Sequence, residues 1–361
     1  MKLVLTVVAR DEADVLDAFL AFHLSAGVDF VIATDHLSRD GTTEILERYE
    51  REGLLHLIRE EDPVYRQSAW VTQMARLAAT DYGADWVINS DADEFWWPRG
   101  ADLKEVLTSI SARYGLVRAF WRVFPPRPDD GEFFAERMFV RLSATAAVND
   151  PASPWRPNTK VIHRADPTLT VSPGSHTVAS GPLQPLRGWF PVEVLHFPWR
   201  SHGQCERKAS VYESSRFHES LRRAHDALAA GRIVEHYDAL AVDGGTLERG
   251  LAEGTLVSDT RLRDALREVA GRIPVPRPSE SGFTFALPEA GTPGLRFPRP
   301  TIVDDAAYAV EIAALGEADV VRMQRRLDEL EGRLSSLERR PWARVGRRLR
   351  RLLRRPGPAP R

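Results

Sequence analysis

The first hundred residues alternate between short apolar runs and helical periods, and this alternation limits the fold more than any other feature of the chain. Leu3–Ala9 is a continuous apolar run, as a strand covered on both faces requires. Ala13–Ser25 carries Val15, Leu16, Phe19, Leu20 and Phe22 at helical spacing, with Gly27 just beyond as a stop. The same reading predicts strands at 30–34, 54–58 and 86–89, with helices at 41–52 and 67–82 between them. Strand and helix in strict succession imply parallel pairing through right-handed crossovers. The expected class is therefore α/β, a mainly parallel sheet with flanking helices and functional groups at the carboxyl ends of its strands.

Beyond Trp97 the pattern loosens. A helix is expected over 102–114, strands over 116–124, 138–142, 160–163 and 192–197, and a long helix over 204–230. The expected organisation is a catalytic-type domain over 1–230, a helical extension over 231–273 and a linker over 274–303. A helix with a short coiled coil then spans 304–340, and a basic tail 341–361. Seven prolines fall within 274–300. Val320, Met323, Leu327, Leu330, Leu334 and Leu337 recur at alternating spacings of three and four, a heptad seam that Pro341 breaks. The seam suits a homodimer or a helix packed on its own chain.

Composition excludes several classes. With 361 residues, 43% of them hydrophobic, the chain is long enough for a sizeable core and is not a disordered polymer. No run reaches the roughly 20 apolar residues of a membrane span. The apolar start is cut short by Arg10, Asp11 and Glu12, so it reads as a first strand of a cytoplasmic protein rather than a signal peptide. The single cysteine, Cys205, excludes an intrachain disulfide and a cysteine zinc cage. Segment 341–361 holds 8 arginines and no acid, which leaves 41 basic and 51 acidic groups in the rest. An acidic body argues against nucleic-acid binding. In the tail, Trp342, Val345, Leu349, Leu352 and Leu353 share one helical face among arginines, a pattern suited to an anionic membrane surface. Only four of the 49 basic residues are lysines: Lys2, Lys104, Lys160 and Lys208.

The sharpest chemical signal is Trp86-Val-Ile-Asn-Ser-Asp91-Ala-Asp93-Glu94-Phe95, where an apolar strand delivers three acids in four positions. Carboxylates held that close repel one another, and burial aggravates the conflict. A hard divalent cation, Mg²⁺ or Mn²⁺, resolves it. In an extended segment Asp91 and Asp93 point the same way and can share one metal. The alternative is a solvated acidic turn. Two further polar loops, Arg10-Asp11-Glu12 and Asp35-His-Leu-Ser38-Arg-Asp40-Gly41-Thr42, are expected on the same sheet edge. Asp35 is placed to meet a base or ribose, and Asp40 to cap the following helix.

Taken together these segments resemble glycosyltransferase family 2 and its GT-A fold. The Arg10–Glu12 opening, the Asp35…Ser38…Asp40-Gly41-Thr42 loop and Asp91-Ala-Asp93 resemble that family's motifs, and Glu94-Phe95 resembles a DxDEF subgroup. Trp155-Arg-Pro…Lys160, Gly174-Ser-His176 and Leu195-His196-Phe…Arg200-Ser201, with Lys208 beyond, resemble that subgroup's later stretches. The resemblance spans about residues 1–225. It implies transfer of a sugar from a nucleotide-sugar donor to a glycan or lipid-linked acceptor hydroxyl, with a divalent metal, inversion, and a role in bacterial surface-glycan assembly. It implies Asp91, Asp93 and His196 as metal ligands, with His176 as the alternative histidine. Arg10, Glu12, Asp35, Arg66, Asp91, Lys160, Arg200 and Lys208 would bind the donor. Glu94 and Glu193 are the candidate bases; the usual Glu-Asp pair that supplies one is missing. The ending, a coiled coil followed by an Arg- and Trp-bearing tail, resembles that of glycosyltransferases working peripherally at the inner membrane.

Two rival functions use the same residues. A phosphatase or phosphotransferase of the HAD type would take Asp91 as nucleophile and Asp93 as acid/base, but places its DxD on the first strand. A non-catalytic coiled-coil scaffold would need only the heptads and tail. No G-x-G, Gly-Lys or G-x-S-x-G occurs, so dinucleotide, P-loop and nucleophile-elbow chemistries are excluded.

Overall fold

A computed structural model describes residues 1–143, 158–211, 219–271, 278–279, 282–283, Phe285, Leu287 and 294–339. In chain order the elements are β1 (Leu3–Ala9), α1 (Ala13–Ser25), β2 (Phe30–His36), α2 (Thr42–Arg51), β3 (Leu55–Glu60), α3 (Gln67–Thr80), β4 (Trp86–Asp91), β5 (Glu94–Pro98), α4 (Leu103–Thr108), β6 (Leu116–Val123), α5 (Phe134–Arg137), β7 (Val140–Leu142) and β8 (Thr159–Arg164). They continue through β9 (Thr170–Val171), β10 (Val178–Ser180), β11 (Val192–His196), α6 (His202–Val211), α7 (Glu219–Ala229), α8 (Ile233–Leu240), α9 (Gly244–Glu253), β12 (Leu256–Ser258), α10 (Arg261–Gly271), β13 (Pro278–Ser279), β14 (Gly282–Phe283) and α11 (Ile302–Arg339).

Eight strands form one sheet in the order β3-β2-β1-β4-β8-β6-β11-β5. The α/β class stands as expected. The first four strands pair in parallel, Val4 with Phe30, Leu5 with Ile88 and Ala33 with Leu57. The far half is mixed: β8 runs antiparallel to β4 and β6, and β5 antiparallel to β11. Alternation along β1 divides the core. Leu3, Leu5 and Val7 pack with α1 and α2, whereas Val4 and Val8 pack with Trp70, Met74 and Ala78 of α3. α1 is buried nearly all round, from Ala13 to His23, because α10, β14 and the sheet enclose it.

Several expectations need correction. The helix expected over 102–114 is only Leu103–Thr108; Asp102 caps it by accepting from the Glu105 N–H at 2.7 Å, and Ile110, though still at helical spacing and buried, lies beyond its end. The helix expected over 204–230 is described as α6 and α7, with 212–218 outside the described residues. β5 was not expected as a strand. It follows β4 after a two-residue turn, yet lies four strands away at the sheet edge. The proline-rich stretch is no free linker where it is described: Leu295 and Phe297 are buried, and Phe297 meets the Trp97 ring at 4.6 Å. No described helix is long and apolar enough to cross a membrane. The tail 341–361 and the Trp155–Pro157 stretch lie outside the described residues.

Candidate functional site

The carboxyl ends of β1, β2 and β4 bring the three polar loops to one edge of the sheet. The first two are laced together. The Glu12 N–H donates to Thr42 Oγ1 at 2.9 Å, the Ala13 N–H to Asp40 at 3.1 Å, and the Arg39 N–H to Asp11 at 2.7 Å. Asp11 and Leu37 take left-handed backbone, φ 55° and 57°, which turns each strand sharply into its loop. Asp35 spends its carboxylate inside its own loop, accepting from Ser38 N–H and from Thr43 Oγ1. Asp40 accepts from the Thr42 N–H, next to Gly41 at the cap position of α2. Arg10 reaches His36 Nδ1 at 3.3 Å, while His36 Nε2 donates to the Asp62 carbonyl at 2.8 Å.

Acids and cations alternate across the centre of the site. Lys160, 1% exposed on β8, bridges Asp91 at 2.7 Å and Glu94 at 2.9 Å. Gln67 donates to the other Asp91 oxygen at 2.7 Å. Trp121 Nε1 donates to Glu94 at 3.1 Å. Lys208 of α6 reaches Asp93 at 2.8 Å. Arg200 joins Asp14 at 2.7 Å and Glu12, and lies 3.8 Å from Asp93. Burial pushes Glu94 up to about 8 and Glu12 up to about 7, against the pull of their cationic neighbours. Asp93 is driven the other way. Burial opposes its charge, but Lys208, His196 and Arg200 together hold it well below the usual carboxylate range. Burial also lowers His196, against the pull of Asp93.

Asp93, Glu94 and His196 each offer a ligand atom, and these atoms lie within 4.8 Å of one another. The chemistry of that set fits a divalent metal: two carboxyl groups and an imidazole. His196 Nε2 stands 3.6 Å from Asp93, its ring stacks on Trp121 at 4.2 Å, and its buried Nδ1 has no hydrogen-bond partner. The cluster differs from the expected trio in one member. Asp91 turns to Lys160 and Gln67, and Glu94 takes the place beside Asp93. The alternative histidine, His176, hydrogen-bonds the Thr159 carbonyl through Nδ1 and meets the Trp121 ring at 5.9 Å, outside this group.

Two expected residues sit elsewhere. Arg66 is exposed in the loop before α3 and pairs with Asp62 at 2.7 Å; its neighbour Gln67 is the residue that meets Asp91. Glu193 is 2% exposed within a cage of Arg99, Arg122 and Arg261, whose charges hold it well below the usual range. That cage ties β11 to β5, β6 and α10, and gives Glu193 no opening to a substrate proton. Gln67, Trp121 and Asp14 carried no signal in the sequence, since each becomes a site residue only through packing. A cavity of about 670 Å³ opens beside the cluster, lined in part by Asp14, Arg39, Asp40, Arg200 and Arg207.

Residues 8–177 match the family model described as glycosyltransferase family 92. The matched segment contains all three carboxyl-edge loops, the Asp91–Glu94 run, Lys160 and His176. His196, Arg200 and Lys208 lie beyond it. The match is to family 92, where the motifs alone resembled family 2. No curated protein matches the chain. Among solved structures it is similar to S. aureus TarS 1-349 in complex with UDP, at 12% identity and TM-score 0.31, covering 82% of this chain and 99% of that one. It is also similar to glucosyl-3-phosphoglycerate synthase from Mycobacterium tuberculosis in complex with Mn²⁺, UDP and glucosyl-3-phosphoglycerate. There the identity is 20% and the TM-score 0.24, over 34% of this chain and 44% of that one. The chain spans less than half the length of the first solved chains it matches.

Proposed function

We propose that this protein is a metal-dependent glycosyltransferase that moves a sugar from a nucleoside-diphosphate donor to an acceptor hydroxyl. The observation that carries the proposal is the convergence of Asp93, Glu94 and His196 at the carboxyl edge of an α/β sheet, with Lys160, Arg200 and Lys208 around them. Asp93, Glu94 and His196 would hold Mn²⁺ or Mg²⁺, and the cation would supply charge neutralisation to the departing diphosphate. The imidazole favours Mn²⁺ over Mg²⁺, which prefers oxygen ligands and water.

The chain's own groups do the rest. Lys208, 18% exposed at the side chain, presents positive charge where a diphosphate can take a hydrogen bond from it, while Arg200, 1% exposed and bonded to Asp14, Glu12 and the Phe197 carbonyl, adds its charge from beneath. Lys160 is too deep for that role; it holds Asp91 and Glu94 in place. The family 92 match over the segment that bears Asp93, Glu94 and Lys160 supports a transferase of sugars. Inversion, the DxDEF affiliation and a place in bacterial surface-glycan assembly come from the resemblance of the motifs. So does a cytoplasmic location on the inner membrane face through the basic segment 341–361.

Thermal unfolding with MnCl₂ and UDP or GDP tests the reading. The wild type should gain melting temperature and Asp93→Ala should not. No gain with any nucleoside diphosphate would remove the donor site from this reading. Hydrolysis of a nucleotide-sugar panel then identifies the donor. Removal of 341–361 should abolish binding to anionic vesicles, and unchanged binding would end the membrane proposal.

A further inference from the structure

α11 is two different surfaces on one helix. Its first half is docked: Tyr308, Glu311 and Leu315 are buried, Tyr308 donates to the Phe190 carbonyl at 3.1 Å, and the Arg99 guanidinium covers its ring at 3.9 Å. From Gly316 onward every described side chain is exposed. The exposed half nevertheless carries the apolar seam, with Val320 and Met323 each 62%, Leu327 54% and Leu330 47% exposed. At ~100° per residue the seam lies roughly a quarter turn around the axis from the docked stripe. It is therefore not the continuation of the face that meets the body, and Val320, Met323, Leu327 and Leu330 are left uncovered.

We infer that this seam pairs with the same seam of a second copy, as a parallel, in-register coiled-coil dimer. The hydrophobic pattern asks for a helix partner, and the flanking charges say which partner and in which direction. With Val320, Leu327 and Leu334 at the a positions, Asp319, Arg326 and Arg333 fall at g, and Gln324, Glu331 and Glu338 at e. In a parallel pair each g residue faces the e residue five positions further along the partner, so Arg326 meets Glu331 and Arg333 meets Glu338 in both directions. An antiparallel pair with residue 320 facing 337 would set g against g and e against e, Arg326 on Arg333, with Glu331 beside Gln324 instead of an arginine. A different helix would have no reason to carry the complementary pattern in register, whereas a second copy carries it by construction.

The test uses the full chain. Sedimentation over a micromolar concentration series should show a monomer–dimer equilibrium. Leu327→Asp with Leu330→Asp should weaken it at least about tenfold, because both changes put carboxylates in the seam. The thermal transition of the body should stay in place, since neither side chain packs on it. Glu331→Arg with Glu338→Arg, which leaves arginine on both flanks, should weaken it as well. Direction is read by oxidative crosslinking of Val320→Cys and, separately, Leu337→Cys; native Cys205 is buried. In a parallel pair each variant crosslinks to itself. In an antiparallel pair residue 320 faces residue 337, and two copies of 320 stand about 26 Å apart. A chain that stays monomeric, forms a trimer, ignores the paired aspartates or fails to self-crosslink at both positions would overturn the inference.

Discussion

Glu94 and His196 are direct register partners in the antiparallel pairing of β5 with β11. One hydrogen bond further, the Phe197 N–H donates to the Asp93 carbonyl at 2.9 Å. The ladder itself therefore presents a carboxylate pair and an imidazole to the same point. Their spacing is held by backbone hydrogen bonds rather than by the rotamers of long side chains, so the candidate metal site is formed before any ligand arrives.

That arrangement predicts a graded response to mutation. Asp93→Ala should abolish Mn²⁺ binding measured by electron paramagnetic resonance. His196→Ala should lower affinity at least about tenfold, since one of three protein ligands is lost. Asp91→Asn should have a smaller effect on the metal. Equal losses at Asp91 and Asp93 would show that the metal sits nearer Asp91 than this geometry places it.

Lys160 should matter to stability more than to metal affinity. Its buried ammonium is shared by Asp91 and Glu94, and the surrounding carboxylates raise its pKa above the usual lysine value even though burial opposes the charge. Lys160→Met leaves two acids facing each other, a change expected to cost about 3–5 kcal/mol. Chemical denaturation measures it. Adding Glu94→Gln to Lys160→Met should recover part of the loss, and strict additivity of the two changes would contradict the coupling.

The Glu193 cage separates architecture from chemistry. Glu193→Gln exposes Arg99, Arg122 and Arg261 to one another, and should destabilise the fold by roughly 3 kcal/mol or more. In protein that remains folded, Mn²⁺ and nucleotide binding should be unchanged, because the cage does not contact the metal candidates. A loss of binding with an intact fold would return Glu193 to the site.

Stability should fall on the acid side from two buried histidines. His23 accepts from the Trp96 N–H at Nε2, 3.1 Å, and its Nδ1 meets the Phe19 carbonyl at 2.8 Å. Burial lowers His23 to about 3, and His163 to about 4, from an ordinary 6.5. The folded state binds these protons less readily than the unfolded chain. Their contribution is thus complete above pH 6.5 and drains away as pH falls toward the folded values, by ~1.4 kcal/mol per pH unit for each group. Urea unfolding at a series of pH values should show this slope, and His23→Gln should make it shallower.

The sequence by itself determined the strand–helix alternation, the three loops at one edge and the acidic run after β4, because apolar periodicity and the carboxyl-edge rule are local consequences of backbone geometry. It also determined the heptad seam and its flanking charges. Only the tertiary structure decided that Glu94, not Asp91, stands with Asp93 and His196, since β5 leaves β4 for the far edge of the sheet and its partner β11 arrives a hundred residues later. It decided equally that Glu193 is caged and that Gln67 and Trp121 line the site. Those outcomes depend on which strands pair and in which register, and pairing between distant segments is set by burial of the whole sheet rather than by any short stretch of residues.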